Sequence, residues 1–284
     1  MITFLHRPYV FAFLFVFLIL ATLHIGLWRT LIWLIWGYFT ALLSEASSIR
    51  NGFPYGIYHY IYDNLRGEIL VFGVPIWDSA SYAFIAYASF ATAWFLVEPY
   101  FWVHVARRNL LSEQSEREGE APMALPLEGA TRAPIIDPHV SPSRPFAVAT
   151  LGAFLMMLAD MVIDPVANLG EKWFLGKIYF YPHGGEYFDV PLTNFAGWFL
   201  VAFVILTGFQ LMEKFIFARM KLPVFGAKRF PFQALLGPAF YFGILGFNLT
   251  MTYWVETYSL FAVSAGICTG IFLLLMRKLK YRAR

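Results

Sequence analysis

Two aspartates four residues apart, Asp160 and Asp164, close an otherwise apolar run that begins near residue 146. That spacing puts both carboxylates on one face of a helix. Ionisable side chains inside membrane helices are costly and are often functional. Two carboxylates on one low-dielectric face repel each other, so one of them holds a proton near neutral pH and can donate it. Pro165 is expected to limit the helix, because the residue before a proline is pushed away from the helical region. The plainer reading is a helix end whose carboxylates sit in the headgroup zone. Asn194 and Trp198, also four apart, enter the next long apolar run on a shared face. Asn194 is a candidate to hold water or a carboxylate, and a hydrogen bond inside a bundle is its structural alternative.

More polar residues fall toward the same end of the apolar runs. Glu45, Asp78, Asn248 and Glu256 do so, while Glu98 falls toward the other end. Between the runs, Asn51-Gly52-Phe53-Pro54-Tyr55-Gly56-Ile57-Tyr58-His59-Tyr60 and residues 168–191 mix aromatics, glycines and carboxylates. Tyr55, Tyr58, Trp173 and Trp198 are candidates to line a pocket. Glu45, Asp78, Asp189 and Glu256 are candidates to support it. Aromatic belts are ordinary at membrane interfaces and account for most of these rings without a site.

Other chemistries find little support. The six histidines form no close metal-binding pair, Gly243-Ile244-Leu245-Gly246 is no dinucleotide fingerprint, and no phosphate-cradling loop or nucleophile elbow occurs. The single cysteine, Cys268, excludes a disulfide framework within one chain. No metal or organic cofactor is expected, and the basic clusters read as membrane-surface anchors, not nucleic-acid contacts.

These residues must be carried by membrane helices. The 284 residues are 59% hydrophobic and only 14% charged, against about 25% charged in a soluble domain. Apolar runs cover residues 8–27, 30–43, 80–103, 146–166, 192–212, 231–252 and 258–276. A spanning helix needs about 20 mostly apolar residues. The second run reaches that length only with polar residues as far as Ser47. The first two runs form either two spans or one bent helix broken at Trp28-Arg29, and two spans are preferred. The expected fold is all-α: a polytopic membrane helix bundle of about seven transmembrane helices, six being the alternative. The first run is long and reads as a retained helix, not a signal peptide. Residues 67–77 are too few to span and are expected to re-enter the membrane or lie at its surface.

Lys and Arg cluster between runs three and four, between runs five and six, and in the tail. By the positive-inside rule the C-terminus is cytoplasmic and the seven-span N-terminus outside, in a prokaryotic cytoplasmic membrane. Residues 111–145, rich in Glu, Pro, Ser and Arg, are expected to form a flexible cytoplasmic loop of a single domain, 1–284.

The stretch Met157-Leu158-Ala159-Asp160-Met161-Val162-Ile163-Asp164-Pro165-Val166-Ala167 resembles the carotenoid biosynthesis protein family. That family includes the CruF-type membrane carotenoid hydratases and the archaeal bisanhydrobacterioruberin hydratases. Val190-Pro191-Leu192-Thr193-Asn194-Phe195-Ala196-Gly197-Trp198 is similar to its following block. Residues 52–60 and Gly73-Val74-Pro75 are similar to its first two. The segment 180–187 looks longer than the family pattern, which bears on the entrance or the accepted end group. The resemblance implies addition of water to the terminal C=C bond of an acyclic carotenoid, giving a tertiary alcohol. Its partners are then a lipophilic acyclic carotenoid, water, membrane lipid and other carotenoid-pathway enzymes, with no nucleic acid.

The residues fit that chemistry. A trisubstituted alkene is a weak base and needs a strong acid nearby. A carboxylic acid kept neutral suits that role, and aromatic faces can stabilise the transient cation. Asp160 is the expected acid and Asp164 the water-orienting base, with the reverse assignment open. A proton-coupled transporter and a noncatalytic scaffold for a carotenoid pathway are the competing readings. Transporters also bury acids, but no paired broken helices recur in matching halves.

Overall fold

The computed structural model describes residues 2–97, 102–103, 133–134, 144–220, 222–223, 225–228, 230 and 232–282. Among them are seven long helices: α1 (Pro8–Ile25), α2 (Leu27–Asn51), α3 (Ile76–Val97), α4 (Pro145–Asn168), α5 (Leu192–Met212), α6 (Leu236–Trp254) and α7 (Tyr258–Arg282). Six of these, all but α2, are long and apolar enough to cross a membrane. Helix α2 has the length, 25 residues, but carries Arg29, Glu45 and Arg50. The protein is a polytopic membrane helix bundle, and the expected all-α class holds.

The first two runs are separate helices, and their boundary is Gly26, not Trp28-Arg29. Gly26 has φ of 87°, a left-handed value that residues with a Cβ rarely adopt. The joint is anchored to a distant segment: Leu27 N–H donates to Phe225 O at 2.8 Å, and Lys228 N–H to Leu23 O at 3.0 Å. Beside it, Arg29 pairs with Glu213 at 2.9 Å. At the other end of α1, Arg7 pairs with Glu68 at 2.9 Å. Near the far end of α2, Arg50 donates to Phe72 O at 3.1 Å, four residues along the chain from Glu68, so α1 and α2 run antiparallel.

Helix α3 is the hub. It is 78% buried, against 28% for each of the outer helices α1 and α7. Its small residues let neighbours approach closely, the usual device where lipid removes the hydrophobic drive between helices. A Cβ on Gly37 of α2 would stand 3.3 Å from Ala83 Cα, and one on Gly237 of α6 only 2.4 Å from Ala91 Cβ. The helix starts at Ile76, earlier than its apolar run, so Asp78 lies in its first turn.

Within residues 67–77, β2 (Leu70–Val71) and β3 (Val74–Pro75) form a hairpin whose Phe72 is exposed. Strand β1 (His59–Tyr60) pairs antiparallel with β6 (Tyr179–Phe180), in the register His59↔Phe180 and Tyr60↔Tyr179. This ladder ties the segment after α2 to the segment after α4. Strands β4 (Trp102–Val103) and β5 (Ala133–Pro134) also pair. Apart from β5 and the start of α4, the expected flexible loop at 111–145 lies outside the described residues, as does Glu98.

A candidate reaction cavity

Pro165 does not end α4, which continues to Asn168. Proline withholds an N–H from the helix ladder, and side chains from the following segment serve the last turn instead. Trp173 Nε1–H donates to Val166 O at 2.9 Å, and Tyr179 O–H to Asp164 O at 3.3 Å. Asp160 and Asp164 thus keep helical spacing and point the same way.

Asn194, in the first turn of α5, joins them. Its Nδ2 donates to Asp160 Oδ2 at 2.7 Å and to Asp164 Oδ2 at 3.1 Å. Asp164 also accepts from Tyr181 O–H on Oδ2 at 2.8 Å and from Tyr179 O–H on Oδ1. Its two oxygens therefore receive three donors, a set that suits a carboxylate anion. Burial first, and the Asp164 charge second, raise both phenols well above their ordinary range, so they stay protonated donors. Asp160 is fully buried. Its Oδ1 has no hydrogen-bond partner among the described residues.

Both aspartates line a cavity of about 110 Å³ between α1, α3, α4, α5 and α6. Asp78 faces it from α3, Trp198 from α5 and Asn248 from α6. Most of the remaining wall is apolar, including Phe13, Ile163 and Phe247. Trp198 stacks on Tyr82 with ring centroids 4.1 Å apart and planes 13° apart. Its neighbour Gly197 has to be small, since a Cβ there would lie 2.5 Å from the Tyr55 ring. Asp78 Oδ2 accepts from Tyr60 O–H at 2.6 Å.

The comparisons with known proteins bear on this arrangement. The chain matches the family described as carotenoid biosynthesis protein over residues 129–272, just over half its length. It belongs to that family. No curated protein and no solved structure matches it. The carotenoid biosynthesis match contains the blocks around Asp160 and Asn194, together with α6 and most of α7. The similar blocks at 52–60 and 73–75 lie outside it.

The sequence-predicted residues divide into three groups. Asp160, Asp164, Asn194, Asp78, Trp173 and Trp198 come together at the cavity. Tyr55, Tyr58 and Glu45 stand behind the wall. Tyr55 O–H pairs with Ser44 Oγ at 2.8 Å, Tyr58 packs against Tyr60 and Tyr181, and Glu45 accepts from Ser79 Oγ at 2.5 Å. Asp189 and Glu256 do not join the site: both are exposed, at φ of 63° and 58° in turns. Sequence reasoning missed Tyr60, Tyr179 and Tyr181 as carboxylate donors. The signal was the tyrosine content of 58–60 and 179–181, which read equally well as an aromatic belt. Among the described residues no group of three His, Cys, Asp or Glu side chains is placed to hold a metal ion.

Proposed function

We propose that this member of the carotenoid biosynthesis family is a hydratase that adds water to the terminal C=C bond of an acyclic carotenoid. The observation that carries the reading is Asp160: a fully buried carboxyl, fixed through one oxygen by Asn194, with its other oxygen unpartnered in a largely apolar cavity. Three steps account for the reaction. Asp160 protonates the less substituted alkene carbon, which leaves a tertiary cation. Water adds to that cation, and its surplus proton departs to a base. The product is a tertiary alcohol. General acid catalysis of this kind contributes about 10²–10⁴-fold.

Helical spacing alone makes Asp164 a candidate for the base. With three donors already on its oxygens, it is better suited as the fixed anion that holds Asn194 and faces the developing positive charge. Trp173 and Trp198 offer ring faces to the same charge. The cavity is far smaller than a carotenoid, so it accepts an end group while the polyene shaft lies in lipid beside α1 and α6. Phe13 and Phe247, ring centroids 5.6 Å apart, line the cavity on that side.

The test is expression in a lycopene-producing host, with pigments identified by mass. A carotenoid heavier by one water is the expected product. Its formation by purified protein in detergent, where no proton gradient exists, would exclude the transporter and scaffold alternatives. Unchanged pigment at good protein level would sink the hydratase reading.

A further inference from the structure

We infer that Asp78 is a third carboxylate of the reaction site and the base that takes the proton from the attacking water. The inference rests on the hydratase reading and assigns the step that reading leaves open. It follows from the hydrogen-bond state of each polar group on the cavity wall. Asp160 gives its proton from the α4 side of the cavity, so water that adds from the opposite side needs a base on another wall. Asp164 is occupied by Tyr179, Tyr181 and Asn194. Ser81 Oγ donates to Asp78 O at 2.7 Å, and Asn248 Nδ2 to Ile244 O at 3.0 Å. Neither a hydroxyl nor an amide is a base at neutral pH. The phenol of Tyr179 is itself a donor, to Asp164 Oδ1.

Asp78 differs from all of these. Its Oδ2 accepts one bond, from Tyr60 at 2.6 Å. Its Oδ1 has no hydrogen-bond partner among the described residues. It sits on α3, whereas Asp160 and Asp164 sit on α4, so an alkene end in the cavity lies between acid and base. The β1–β6 ladder fixes this opposition, because adjacent partners Tyr60 and Tyr179 donate to Asp78 and Asp164 respectively.

The proton count closes. The Asp160 O–H bond breaks as the π electrons form a C–H bond. A water oxygen bonds to the tertiary carbon, and one of its O–H bonds breaks with the proton going to Asp78. Asp160 is then ionised and Asp78 protonated. Transfer of that proton back through cavity water resets both groups, so the cycle consumes only alkene and water.

Deuterium oxide separates the two carboxylates. In it the wild-type protein should give alcohol carrying one deuterium on carbon. Asp78→Asn should make alcohol at least about 100-fold more slowly. It should still return alkene that has acquired deuterium, since Asp160 can protonate the alkene and then retrieve a proton from the cation. Asp160→Asn should do neither. Asp78→Glu, which keeps a carboxylate, should recover part of the alcohol. Alcohol formation by Asp78→Asn within a few-fold of wild type would overturn the inference. So would loss of exchange and alcohol together in both Asp78 variants, which would mean a structural role. If the wild-type protein forms no alcohol, the hydratase reading itself fails, and that result is distinct from either.

Discussion

Two regions of this bundle bury carboxylates, and they treat them in opposite ways. At the joint of α1 and α2, Glu213 is met by Arg29, whose guanidinium reaches both of its oxygens at 2.9 Å. Beside the cavity, Glu68 is similarly met by Arg7, and also accepts from Trp77 Nε1–H. The carboxylates in and behind the cavity have no such partner. Glu45, Asp78, Asp160 and Asp164 take part in no ion pair among the described residues, and their donors are neutral hydroxyls and an amide. A buried pair neutralises itself and fixes geometry. Carboxylates bound only by neutral donors can still gain or lose a proton. Structure and chemistry are therefore separable, and each half can be broken alone.

The largest effect is expected on the chemical side. Asp160→Asn keeps the shape of the side chain and removes the acid. Water addition should fall by about 10²–10⁴-fold, measured as alcohol formed per folded molecule. Thermal stability in detergent should stay close to wild type, because the amide keeps an oxygen to accept from Asn194. Unchanged turnover at equal protein level would remove Asp160 from the mechanism.

Arg29→Ala probes the other region. It leaves Glu213 without its cation, and breaking a buried pair typically costs roughly 3–5 kcal/mol. Glu213 retains some contact with its surroundings at 20% side-chain exposure, so the lower figure is expected. Thermal unfolding reads the loss, while turnover per folded molecule should stay near wild type. A matching fall in turnover would mean that the two regions are coupled.

The contrast was only half legible in the sequence. Asp160, Asp164 and Asn194 were readable because helical spacing places residues on a face without any knowledge of neighbours. The seven runs were readable because lipid demands long apolar segments. Depth along an apolar run, however, does not say which way a side chain points. Glu256 and Asp189 lie near the right end and still face outward, held in turns after α6 and before α5. The donors to Asp78 and Asp164 were hidden for another reason. They are placed by a two-residue ladder between segments far apart in the chain, and such a short pairing leaves no periodic pattern. Helix α4 also outran its proline, because Trp173 and Tyr179 satisfy carbonyls that local rules leave open.

The smallest expected effect tests whether the neutral donors merely hold the carboxylates. Tyr181→Phe removes one of the three donors on Asp164 and leaves Asn194 on the same oxygen. A hydrogen bond to a charged group is worth about 1.5–3 kcal/mol. With two donors remaining, the lower end applies, which is about a tenfold loss of turnover. Burial and the Asp164 charge hold the Tyr181 phenol well above its ordinary range, so it stays protonated through neutral pH. The ratio of variant to wild-type turnover should therefore be flat across that range. A loss as deep as that of Asp160→Asn would instead make Tyr181 the proton donor, and the division between holding groups and reacting groups would have to be redrawn around it.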